Sequence, residues 1–222
     1  MRSAKELKNA PNYGYEELYE IVSLLRSENG CPWDRAQTHH SIRKNLIEET
    51  YEVVEALDKE DSDLLKEELG DLMLQVLLHA DMEERAGREG MEGVLDGICR
   101  KLIFRHPHIF DSENATTAEQ ALAGWEARKM EEKGQKTVFQ DMDRVTRTLP
   151  GMMRAQKLVR KAKKAGLLKE NPFTQNDPVA RILSAGYDAN SEDLDLEEAV
   201  YMRLEQFITD MKTKEEEIKN EN

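Results

Sequence analysis

A chain of 222 residues with 32 basic and 45 acidic side chains carries a net charge of −13, which argues against general affinity for nucleic acid or anionic membranes. Its charged content of 35% and aromatic content of 6%, with a mean hydropathy of −0.74, suit a water-soluble protein, and no apolar run or leader suggests a membrane span or a signal peptide. Cys31 and Cys99 form no CxxC pair, so neither a zinc site nor a disulfide framework is indicated, and a cytoplasmic setting with reduced thiols is expected.

Almost no run alternates with period two, so the expected fold class is all-α. Residues 1 to 13 are polar and read as loose. Tyr15 to Arg26 reads as an amphipathic helix with Leu18, Ile21, Val22 and Leu25 inward, ended by Asn29-Gly30. The segment CPWDRAQTHHS (31–41) follows as a polar connection. Its Trp33 has two readings, a plug at the end of a bundle or a surface for a nucleobase.

The stretch from Glu48 to Asp71 carries EETYE and then EELGD. A helix from about Ile42 to Leu57, with Ser41 as N-cap, sets Ile42, Leu46, Val53 and Leu57 in one stripe. Glu49 falls within that stripe and Glu52 on its edge, whereas Glu48 points further out. A second helix, about Asp63 to Arg85, holds Glu68, Asp71, Gln75 and His79 in a narrow polar strip. The break at 59–62 is short enough to join antiparallel neighbours. At about 1.5 Å per residue, Glu52 then matches Glu68 in height, and Glu49 matches Asp71. Four carboxylates so gathered need protons or a hard divalent cation; the competing reading is a solvated acidic face.

Beyond a turn at 86–90, a helix from about Met91 to Arg105 has Val94, Leu95, Ile98 and Leu102 inward, and Pro107 stops it. Lys101 and Arg105 share one face and could grip phosphate, or could simply complement the helix macrodipole. The His106-Pro107-His108 break suits capping or solvent better than metal. Thr117 and Gln120 form a capping box opening a further helix that Gly134 closes. On it Trp125 and Lys129 lie one turn apart, either a base-and-phosphate pair or core. Residues 135–148 read as a linker. A basic helix follows, with Arg154, Lys157, Arg160, Lys161, Lys163 and Lys164, a cluster that can bind phosphate but reads first as a solvated face packed against the acidic remainder. Polar breaks at 171–177 and 190–195 precede a last helix from about Leu196 to Lys214.

Taken together, CPWDRAQTHHS, EETYE, EELGDLMLQVLLHADM, KLIFRHPHIF and WEARKMEEKG resemble the MazG nucleoside triphosphate pyrophosphohydrolases in order and spacing, over about residues 15 to 134. The resemblance implies an antiparallel helical bundle of the MazG type, completed by dimerisation. It implies Mg²⁺-dependent hydrolysis of nucleoside triphosphates to the monophosphate and pyrophosphate, with Mn²⁺ as a substitute metal. On the matching positions Glu49, Glu52, Glu68 and Asp71 would bind metal, and Lys101, Arg105, Trp125 and Lys129 would contact nucleotide. Glu48 matches the first acid of EExxE and is the candidate base.

The expected division is a MazG domain over 1–140 and a helical extension over 141–222. Within the extension, LPGMMRAQKLVRKAKKAGL resembles the opening of a second MazG domain, without that domain's acids, as if truncated or degenerate. The partners expected are nucleoside triphosphates and a second copy of the chain, with neither nucleic acid nor membrane. Alternatives are a related all-α phosphohydrolase acting on dUTP or phosphoribosyl-ATP, and a nucleotide-binding regulatory module without turnover. A di-iron bundle is disfavoured, because no His has a Glu three residues before it.

Overall fold

A computed structural model of the chain describes residues 2–111, 114–134, 137–192 and 194–221. All regular structure among these residues is helical, the all-α class expected. No described helix is long and apolar enough to cross a membrane. The chain divides into two compact units, Met1–Glu113 and Asn114–Asn222. That packing boundary falls before the sequence boundary at 140, which follows the extent of the motifs.

The first unit contains α1 (Ala4–Lys8), α2 (Tyr15–Leu25), α3 (Pro32–Ala36), α4 (Arg43–Asp58), α5 (Ser62–Arg85), α6 (Met91–Arg105) and α7 (Pro107–Phe110). Helix α5 is its spine and packs against α4, α2 and α6. The core gathers Val22, Ile42, Leu77, Leu78, Ala80, Met82 and Met91, which is where the apolar stripes of α2 and α5 converge. A buried ion pair crosses it: Arg26 Nε lies 2.9 Å from Asp81 Oδ2, with the residues 8% and 4% exposed. Arg85 also reaches Asp81, at 2.7 Å, and donates to the Ser23 carbonyl. Arg26 further donates to the Asp34 carbonyl. One carboxylate thereby joins α2, α3 and α5.

Several expectations need correction. The first residues are not loose: Ser3 and Glu6 close a capping box, Leu7 is buried, and Arg2 pairs with Glu17 and Glu20 of α2. Arg26, not Asn29-Gly30, is the C-cap of α2. Gly30 instead answers a close approach, since a Cβ there would lie 2.2 Å from the Leu25 carbonyl oxygen. The N-cap of α4 is Ile42; Ser41 spends its hydroxyl on the Thr38 N–H and on Gln37. Asp61 caps α5 by accepting from the N–H groups of Asp63 and Leu64. Trp33 is 64% exposed, so it plugs nothing among the described residues. The four apolar residues assigned inward on α6, Val94, Leu95, Ile98 and Leu102, are 40–46% exposed, so the packing of α6 on α5 leaves that face only partly covered among the described residues.

The second unit contains α8 (Ala118–Glu132), α9 (Val138–Asp143), α10 (Gly151–Lys164), α11 (Pro178–Glu192) and α12 (Leu196–Glu221). Thr117 caps α8 by accepting from the Gln120 N–H, while Gln120 Oε1 accepts from Thr116 rather than closing a full box. The expected linker at 135–148 holds helix α9, capped by Thr137; its residues 135 and 136 lie outside the described residues. Helix α11 runs into the break expected at 190–195, whose residue 193 lies outside the described residues, and α12 runs past Lys214. Helix α10 buries Gln156, Val159 and Ala162 and packs chiefly on α11.

Candidate metal centre

Helices α4 and α5 form a hairpin joined by Lys59–Asp61. The turn is closed by the Glu60 N–H to the Leu57 carbonyl and the Asp61 N–H to the Ala56 carbonyl. Glu60 takes the left-handed conformation, φ 53°, which lets the chain reverse within three residues. Side chains equally far from such a turn face each other at one level. Carboxylate oxygens of Glu49, Glu68 and Asp71 accordingly all lie within 4.8 Å of one another, with Glu49 and Glu68 half-buried and Asp71 exposed.

The electrostatics follow from that crowding. Burial raises the Glu49 carboxyl above the usual carboxylate range, helped by a hydrogen bond with Glu52 and by the charges of Asp71, Glu52 and Glu68. Glu68 is also raised, first by desolvation and then by Glu52, Glu67 and Asp71. Hard oxygen donors at this spacing suit a divalent cation.

Glu52 is exposed and borders the trio through Glu49 instead of joining it. Glu48 is exposed on α4, Lys101 is half-buried on α6, and Arg105, one turn further, is 5% exposed. Trp125 and Lys129 lie on α8 in the second unit, with the Lys129 ammonium 4.9 Å from the Trp125 ring centroid.

The polar strip of α5 continues past the acids into a network that the sequence reading did not develop. Gln75 is 6% exposed, and its Oε1 and His79 Nε2 have no hydrogen-bond partner among the described residues. His79 Nδ1 lies 2.7 Å from His39 Nδ1, and His39 Nε2 lies 2.7 Å from Glu83. Arg88 holds the Glu83 carboxyl down at about 2. The available signal was the pairing of a histidine in QTHHS with one on the strip at Gln75 plus four.

Comparison with known proteins finds a matching family model and several similar chains. A family model described as the MazG nucleotide pyrophosphohydrolase domain matches residues 37–110. A nucleoside triphosphate pyrophosphohydrolase of Escherichia coli K12 is 42% identical over 152 residues, covering 68% of this chain and 58% of the relative. A nucleoside triphosphate pyrophosphohydrolase/pyrophosphatase MazG of Thermotoga maritima is 39% identical over 158 residues, covering 71% and 60%. A 26.1 kDa protein of Streptomyces cacaoi, uncharacterised, is 33% identical over 186 residues, covering 82% and 76%. The chain thus spans 58–60% of the length of the first two relatives.

Proposed function

Because the chain belongs to the MazG family, we propose that it hydrolyses nucleoside triphosphates to the monophosphate and pyrophosphate. The observation that carries this reading is the carboxylate trio of Glu49, Glu68 and Asp71, two of whose members sit above their ordinary pKa. With Glu52 beside them, these residues would hold Mg²⁺, or Mn²⁺ in its place. When bound, the metal supplies a counter-charge for the triphosphate and makes a water more acidic.

The chain's own residues supply the rest. Glu48, exposed one residue before Glu49 on α4, accepts a proton from the attacking water as that water adds to the α-phosphorus and the bond from that phosphorus to the α–β bridging oxygen breaks. Lys101 and Arg105 bind and orient the phosphates, and their charge offsets what accumulates on the departing pyrophosphate. Trp125 and Lys129 are nucleotide contacts, the ring for the base and the ammonium for a phosphate. The segment 1–140 acts as the catalytic domain and 141–222 as its helical extension, in a cytoplasmic protein.

A second copy of the chain completes the bundle. The support for this is the bare apolar face of α6, with Val94, Leu95, Ile98 and Leu102, and the exposed Ile47, Tyr51 and Val54 of α4. Exposed apolar surface of that extent marks an interface.

The test is pyrophosphate release from a panel of normal and modified triphosphates, with and without Mg²⁺. Glu52→Gln and Asp71→Asn are each expected to lower the rate by more than about 100-fold while the far-ultraviolet circular dichroism stays unchanged. Wild-type rates in either variant, or equal rates without metal, would refute the assignment.

A further inference from the structure

We propose that the second unit contains a pocket for a nucleoside polyphosphate in which helix α10 holds the phosphates through Lys157 and Arg160. The inference rests on the reading above that Trp125 and Lys129 contact nucleotide. It extends that reading to a helix outside the segment matched by the family model.

A cavity of about 380 Å³ opens where α8, α9 and α10 meet, within the size range of small-molecule sites, roughly 300–1,000 Å³. Its lining is of two kinds. Trp125, Met130 and Ala165 give it an aromatic and aliphatic surface, and five cations surround that surface against only two carboxylates. In a chain of net charge −13, such an island inverts the local potential and favours an anion.

The sequence of α10 explains why the cations gather there. Lys157, Lys161 and Lys164 are four and then three apart, so they share one helix face, and Arg160 borders it. Burial of Gln156, Val159 and Ala162 fixes the rotation of the helix, which leaves the basic face on the cavity.

Both acids in the lining are engaged: Asp141 pairs with Lys161 and Glu126 with Lys164. Lys157 makes no ion pair among the described residues, and Arg160 donates only a 3.2 Å hydrogen bond to Asn190. These two cations can therefore take phosphate oxygens without breaking an ion pair, and Arg can do so in bidentate fashion. A planar heterocycle bearing several phosphates satisfies both kinds of lining at once. Free phosphate leaves Trp125 idle, and an uncharged aromatic leaves the cations idle.

The emission of Trp125 provides a direct readout. The chain has two tryptophans, and Trp33 is 64% exposed, so Trp33→Phe in the full chain leaves Trp125 as the sole reporter. ATP, tripolyphosphate and adenosine are titrated in buffer with chelator, which halts metal-dependent turnover and disfavours the acidic site. Saturable change with ATP is expected, with weaker binding of either half alone. Lys157→Glu and Arg160→Glu should each weaken ATP by at least about tenfold, and rising salt should weaken it further.

Because Arg160 also touches Asn190, Arg160→Lys and Lys157→Ala accompany the reversals, with circular dichroism to certify folding. Folded charge-reversed variants that bind within twofold of the parent would overturn the proposal, as would ATP leaving Trp125 emission unchanged. If pyrophosphate release persists while Trp125 does not respond, the pocket and the Trp125 contact fail, while hydrolysis at the acidic site stands. If ATP titrates Trp125 with the expected charge dependence but no triphosphate is hydrolysed, the catalytic reading fails and the pocket stands.

Discussion

Glu49 is under pressure from several directions: partial burial, a hydrogen bond to a second carboxyl, and three neighbouring acids. Each of these is a property of the protein without metal, so removing the charge should relax the fold. Glu49→Gln is expected to raise the melting temperature of metal-free protein while abolishing pyrophosphate release, a trade of stability for function read by thermal denaturation in chelator. His79 makes a different statement. Burial, then the charge of His39, lowers its pKa from the ordinary 6.5, so the folded chain binds this proton less readily than the unfolded chain. The associated stability is fully present above pH 6.5 and is lost as pH falls below it. Melting temperature should therefore drop on acidification below pH 6.5, and His79→Gln should flatten that part of the profile. Which faces these residues occupy was readable from helical period. That Glu52 would border the trio was not, because side-chain rotamers answer to packing and not to spacing.

At the level of elements, the long helices were legible because their apolar residues repeat with helical period and their ends are punctuated. Helix α6 begins after Gly90 and stops before Pro107, and its bounds match expectation. The short helices were not legible. Helices α1 and α9 depend on the caps Ser3 and Thr137, and a five- or six-residue segment carries too little periodicity to announce itself. Contacts across elements were equally silent: nothing in spacing pairs Arg26 with Asp81. Asp81→Ala would leave buried guanidinium charge without its partner, at a cost of about 3–5 kcal/mol, measurable by urea unfolding. Glu60 points the other way. Its left-handed backbone suits glycine better, and Glu60→Gly should stabilise by about 0.5–1 kcal/mol without affecting turnover.

For the molecule as a whole, the face of α6 shows what periodicity can and cannot say. It identified Val94, Leu95, Ile98 and Leu102 as a surface meant for burial, but the alternation of apolar and polar residues does not tell an internal partner from an external one. On the proposal that this face joins two copies, Ile98→Glu is expected to convert the dimer into a monomer in light scattering after size exclusion, with helical content kept. An unchanged mass would show that this face is not the interface. Loops are ordinarily where a chain tolerates gain or loss of residues, and the three-residue turn at 59–61 reverses that expectation. One residue inserted there would rotate α5 by about 100° and slide it by about 1.5 Å against α4, turning Glu68 and Asp71 away from Glu49 together. In this protein, tolerance of length change should be lowest at an exposed turn that contributes no side chain to the candidate metal centre.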